Sequence, residues 1–158
     1  MTTAPREGDP APEIDLPTGD GGRFRLSDHK GQPVVVYFYP KDDTTGCTRE
    51  AIDFSGRKGD FDAVQTLIVG ISPDSAESHR RFREKHGLAI LLAADEDKAA
   101  AQAYDVWKER SMYGRKFMGV ERSTFLIDRD GVIARAWRNV KVPDHVEEVL
   151  DSARLVAS

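Results

Sequence analysis

The sequence predicts an α/β fold, with helices packed on a central sheet. Three observations carry that prediction. Val34-Val35-Val36-Tyr37-Phe38 is an unbroken run of β-branched and aromatic residues, the mark of a strand buried on both faces. Cys47, Ala51 and Phe54 then recur at i, i+4 and i+7, the period of a helix with one apolar face. After a break at Gly59-Asp60, residues 65–72 (Gln65-Thr66-Leu67-Ile68-Val69-Gly70-Ile71-Ser72) form a second buried run. Strand, helix and strand at this length make a βαβ unit, with parallel strands and a right-handed crossover.

The other elements follow in order. Residues 1–12 are rich in Pro, Gly and charge and read as a loosely held lead-in. Residues 13–16 and 23–26 alternate polar and apolar on either side of a turn-forming stretch, which predicts a small β-hairpin. Residues 27–33 read as a loop or short turn. Ser72-Pro73-Asp74-Ser75 supplies capping and first-turn candidates for a helix over about 75–86, closed by Gly87. Residues 90–93 suggest a short strand and residues 98–104 a helix, while residues 112–119 read as a basic, aromatic loop. Residues 123–128 and 132–137 predict an antiparallel pair joined at Arg129-Asp130-Gly131. A last helix opens at Pro143-Asp144, with Val142, Val146, Val149, Leu150 and Ala153 as its apolar stripe. Residues 1–158 read as a single domain. The element order is that of a thioredoxin-like fold with an N-terminal β-hairpin extension and an inserted helix.

Composition narrows the function. The chain has 158 residues, 39% hydrophobic and 32% charged, with a net charge of −4, so no basic surplus favours nucleic acid as a partner. No apolar run approaches the ~20 residues of a membrane-spanning helix, and the first residues lack the apolar core of a secretory signal. With one cysteine there is no intrachain disulfide, and no Cys/His cluster suggests a metal. A reducing, cytoplasmic setting is the expectation.

Cys47 is placed to do chemistry. It falls at the first turn of a helix leaving the C-terminal end of a central strand, where ligand crevices form in α/β sheets. The thiolate is the nucleophilic form of cysteine, and the N–H groups and dipole of a helix N-terminus favour an anion there. The bland alternative is an inert core cysteine. Its flanks, Asp42, Asp43, Thr44, Thr45, Thr48, Arg49 and Glu50, are polar company for that role. A disulfide oxidoreductase would carry Cys-x-x-Cys, whereas here the spacing is Thr44-x-x-Cys47. A hydroxyl one turn ahead of the sulfur suits a small hydroxylic substrate. His29, His79, His86 and His145 sit among polar neighbours and read as solvated, so nothing ties an imidazole to Cys47. Trp107 and Trp137 read as core or crevice residues, and Met112, Tyr113, Phe117 and Met118 as packing or as the mouth of a pocket.

Pro40-x-x-x-Thr44-x-x-Cys47 is similar to the active-site motif of peroxiredoxins. The longer strings 38–51 and 120–128, with 69–75 and 106–109, resemble the bacterioferritin comigratory protein (PrxQ) subfamily, and the likeness runs from about Gly8 to Leu150. The resemblance implies reduction of hydrogen peroxide and organic hydroperoxides by a monomer, without metal or bound cofactor. It assigns Cys47 as the residue oxidised to a sulfenic acid, Thr44 as the hydroxyl aligning the peroxide and Pro40 as the cover of the pocket. Arg122, in the Arg-Ser-Thr-Phe string, would stabilise the thiolate and the developing oxyanion. Glu50 would either orient that arginine or be an ordinary first-turn carboxylate.

The sequence departs from the subfamily at one consequential point. Many members carry a resolving cysteine five residues after the first, where this chain has Ile52; others carry it on a later helix, taken as residues 97–103, which also hold none. Position 45 is Thr where Pro is common. The sulfenic acid would therefore need a thiol from outside the chain: thioredoxin, glutaredoxin, a low-molecular-weight thiol or Cys47 of another subunit. The rival readings are a thiol-disulfide exchange protein or a redox sensor on the same fold. Repeated turnover with a reductant separates a peroxidase from a sensor, which oxidises once per chain.

Overall fold

In the computed structural model, which describes residues 4–157, the Val34–Phe38 run is the middle strand of a five-stranded sheet. The chain runs β1 (Asp15–Pro17), β2 (Arg23–Arg25), a 3-10 turn (Leu26–His29), β3 (Val34–Phe38), α1 (Thr45–Gly56), α2 (Lys58–Ala63) and β4 (Leu67–Ser72). It continues through α3 (Ala76–His86), β5 (Leu91–Ala94), α4 (Ala99–Ala103), β6 (Trp107–Met112), β7 (Arg115–Val120), β8 (Ser123–Ile127), β9 (Ile133–Trp137) and α5 (His145–Ala157). The sheet order is β5-β4-β3-β8-β9, with β3, β4 and β5 parallel and β8 and β9 antiparallel to their neighbours.

All five residues of β3 and all five of β8 are buried because both faces of the sheet are covered. On one face Val34, Val36 and Phe38 pack with Phe24 of the hairpin, Tyr104 after α4, and Phe125. On the other, Val35 and Tyr37 pack with Cys47 and Phe54 of α1, Phe61 of α2, Phe82 of α3 and Leu150 of α5. The periodic triplet Cys47, Ala51 and Phe54 is the buried stripe of α1, as its spacing requires. α3 begins where Ser75 Oγ accepts from the Ser78 N–H at 3.1 Å and ends at Gly87, whose φ of 60° is the left-handed conformation that suits glycine.

Several expectations are corrected. Of the lead-in, residues 1–3 lie outside the described residues, and the rest is not loose. The Gly8 N–H donates to Ile133 O at 2.8 Å, Ile133 N–H to Asp9 O at 2.9 Å and Ala11 N–H to Gly131 O at 2.9 Å, so this stretch covers the open edge of β9. Gly59-Asp60 is no break but the middle of α2, which exists to bury Phe61. Residues 112–119 are not a loop: they belong to the β6–β7 hairpin, turned at Tyr113 and Gly114, both at positive φ. Both strands of that hairpin are largely exposed, so burial imposed no alternation on their sequence. Met112, Tyr113, Phe117 and Met118 are accordingly exposed rather than packed in the core. His79 and His145 are buried rather than solvated, held by polar partners described below.

Candidate active site

β3 delivers the chain to the site. Tyr39 extends the ladder by donating its N–H to Ile71 O at 3.0 Å, residues 40–44 form a loop, and Thr44 is the N-cap residue of α1. The Thr44 hydroxyl does not cap the helix; it donates to Lys41 O at 2.8 Å. The first turn of α1, with Thr45, Gly46 and Cys47, thus has no side-chain cap and no acidic residue. That leaves the positive end of the helix dipole beside the sulfur.

The polar flanks divide: Asp42 and Glu50 are buried with the sulfur, and others lie at the surface. Thr44, Thr45 and Arg49 are exposed, whereas Cys47 is only 2% exposed, at the margin of the core formed with Tyr37, Tyr39 and Phe54. It is a free thiol. What separates it from an inert core cysteine is Arg122, which stands between β7 and β8 and brings Nη2 to 3.4 Å from Sγ.

The same guanidinium donates from Nη1 to Glu50 Oε1 at 2.7 Å. Glu50 is fully buried, so of its two sequence readings the structure selects the arginine partner. Burial pushes the Glu50 carboxyl up to about 7, against the opposing pull of Arg122. Burial also works against the charge on Arg122, but Glu50 and Cys47 together hold it above the ordinary arginine value. Gly46 makes room for this arrangement: a Cβ there would stand 3.1 Å from Arg122 Nη2.

Cys47 and Arg122 are thus in contact, and Thr44 sits one turn ahead of Cys47. Pro40 is exposed at the exit of β3. Ile52, at the position where a resolving cysteine is common, is 43% exposed on the outside of α1. Among the described residues no group of His, Cys, Asp and Glu could hold a metal ion, and no helix is long and apolar enough to cross a membrane.

Sequence reasoning missed two buried histidines beside the site. His145 Nε2 lies 2.8 Å from Thr124 Oγ1, and its ring meets Phe54 and Trp137 edge-on. Burial drives the imidazole down to about 4, which keeps it neutral. His79, on α3, lies against Asp42 of the 40–44 loop. Neither has a motif of its own; the one available signal was polarity on the inward side of a helix.

Residues 7–136 match the model of the AhpC/TSA family. Peroxiredoxin Bcp of Bacillus subtilis is 48% identical over 93% of this chain and 94% of that protein. Among solved structures, the Xanthomonas campestris bacterioferritin comigratory protein, studied for alkyl peroxide reduction with trapped intermediate and ligand complexes, superposes with a TM-score of 0.87. It is 42% identical and matched over 92% of each chain. A mutant of Xylella fastidiosa PrxQ reaches 0.93 at 38% identity, over 99% of each chain. The chain belongs to the AhpC/TSA family, whose thioredoxin-like fold it has, and is by class a thiol-dependent peroxidase. Within that family it is a peroxiredoxin of the Bcp (PrxQ) group.

Proposed function

We propose that Cys47 is the peroxidatic nucleophile and that each catalytic cycle is completed by an external thiol. One observation carries the reading: the Arg122 guanidinium lies 3.4 Å from Cys47 Sγ at the uncapped first turn of α1. A cation and a helix N-terminus on one sulfur favour its anion, the form that attacks. The thiolate attacks the terminal oxygen of a hydroperoxide; the S–O bond forms as the O–O bond breaks. The leaving oxygen keeps the bonding pair as hydroxide or alkoxide and takes a proton from solvent, while the sulfur is oxidised to sulfenic acid. Arg122 stabilises the charge developing on the peroxide. The Thr44 hydroxyl spends its proton on Lys41 O, so its lone pairs remain to accept the peroxide O–H. Pro40 forms the rim that limits water.

The chain has a single cysteine, so the sulfenic acid has no intrachain partner. A thiol from thioredoxin, glutaredoxin or a low-molecular-weight pool condenses with it, releasing water and forming a mixed disulfide. A second thiol then frees Cys47. Hydrogen peroxide and organic hydroperoxides are the substrates, and the working form is a cytoplasmic monomer.

Peroxide consumption with each reductant tests this reading. Cys47→Ser should abolish turnover, and Thr44→Val should lower it by roughly 100-fold, the loss that follows removal of one hydrogen bond from such a transition state. Full turnover by Cys47→Ser would overturn the assignment. A single oxidation per chain with every reductant would favour a sensor instead.

A further inference from the structure

The loop between β3 and α1 is gripped from behind by a buried pair that the chemistry above does not use. Asp42 is 7% exposed and His79 fully buried. The Asp42 carboxylate accepts from Tyr39 Oη at 2.5 Å and from Ser78 Oγ at 2.8 Å, and its oxygens lie 2.8 and 3.0 Å from His79 Nδ1. The Asp42 N–H donates to Asp74 Oδ2 at 2.7 Å. On the far side of the imidazole, Nε2 is 3.0 Å from Ala93 O, at the end of β5. A carbonyl oxygen only accepts, so Nε2 carries a proton; Nδ1 faces a carboxylate, so a second proton lies between Nδ1 and Asp42. His79 thereby ties the loop, α3 and β5 together through one charge-assisted contact. The next loop residue is held by the same helix, with Lys85 Nζ 2.6 Å and His86 Nε2 2.9 Å from Asp43.

We propose that Asp42 and His79 form a positioning clasp that fixes the 40–44 loop, and so sets Pro40 and Thr44 relative to Cys47 Sγ. The proposal rests on the reading of Cys47 as the peroxidatic nucleophile. Asp42 lies two residues from Pro40 and two from Thr44, so a shift of its carboxylate moves both. Attack on an O–O bond requires sulfur, hydroxyl and guanidinium in one alignment, and misplacement by about 1 Å costs on the order of 100-fold. Alkylation by iodoacetamide requires only a thiolate. The clasp therefore governs the ratio of the two rates rather than thiol reactivity as such.

The test compares wild type with His79→Gln and with the double variant Asp42→Asn/His79→Gln, which leaves no buried ion unpaired. Oxidation of Cys47 by hydrogen peroxide should fall by roughly 10- to 100-fold in both, while iodoacetamide alkylation stays within about three-fold of wild type. A double variant that reacts with peroxide at the wild-type rate, or loses both rates together, would overturn the clasp. ¹⁵N NMR of the imidazole in the unmodified chain provides a readout independent of folding in the variants. A hydrogen bond between His79 Nδ1 and the Asp42 carboxylate should be detected, and its absence would overturn the proposal. A wild-type chain that peroxide oxidises no faster than a small free thiol would overturn the nucleophile assignment, and with it any catalytic use of the clasp.

Discussion

Gly46→Ala isolates the contact between Arg122 and the sulfur. The added Cβ would stand 3.1 Å from Nη2 and 3.8 Å from Cζ of Arg122, so the guanidinium must retreat by a few tenths of an ångström. That retreat costs it one of its two contacts. Nη1 is committed to Glu50 at 2.7 Å, and the 3.4 Å contact to Sγ, the longer of the two, is the one that yields. A hydrogen bond to a charged group is worth about 1.5–3 kcal/mol, so its loss from the thiolate and transition state should slow peroxide reduction by roughly 10- to 150-fold. Stability should move the other way. Gly46 lies within α1 and is not among the glycines at positive φ, so alanine suits its backbone and favours the helix by up to about 1 kcal/mol. Stopped-flow peroxide reduction and a thermal melt on the same preparation read both effects. A raised Tm with a rate within about two-fold of wild type would show that the reaction does not use this contact.

Glu50 and His145 give pH dependences of opposite sign. The folded Glu50 carboxyl, raised by burial to about 7, lies above its unfolded value of 4.5, so the stability linked to its proton is present at low pH and lost as pH rises through 7. Wild type should lose stability relative to Glu50→Gln across that window, by no more than roughly 3 kcal/mol, and parallel urea-unfolding profiles would refute it. The folded His145 imidazole, lowered by burial to about 4, lies below its unfolded value of 6.5. Its contribution is therefore present above 6.5 and lost as pH falls toward 4. His145→Gln should flatten the acid limb of the unfolding profile, and an unchanged limb would contradict that. With one cysteine in the chain, a peroxide titration without reductant should carry Cys47 past sulfenic to sulfinic acid. Intact-mass spectra that hold at one added oxygen across a large excess would count against an unprotected sulfenic acid.

The parts of the fold legible in the sequence are those whose pattern burial imposes locally. β3, β4, α1 and α3 each show their own period or caps. The β6–β7 hairpin was hidden because its exposed faces carry no alternation. The pairing of residues 4–12 with β9 was hidden because backbone groups make most of it, with Glu7 adding a side-chain bond to the Ala136 N–H, and none of these carries a hydrophobic period. The same division runs through the site. Thr44 and Cys47 share one helical turn and can be read from spacing. The Asp42–His79 contact spans 37 residues between a loop and a helix, with nothing in either segment to announce it.

Arg122 lies between these cases. It is 75 residues from Cys47, and only the family resemblance pointed to it; the sheet register explains why it arrives. β8 runs antiparallel to β3 with Phe38 paired to Ser123, so the residue entering β8 lies beside the residue leaving β3. The turn into α1 starts there, which brings the guanidinium to the start of the helix. A strand advances about 3.4 Å per residue, so a register shift of two residues would keep every β8 side chain on its buried face yet displace Arg122 by roughly 7 Å. That is twice its present distance from the sulfur. Hydrophobic burial is nearly indifferent to such a shift, whereas the chemistry is not. The pairs that fix the register, Val36 with Phe125 and Phe38 with Ser123, are therefore as necessary to the thiolate's environment as the arginine itself.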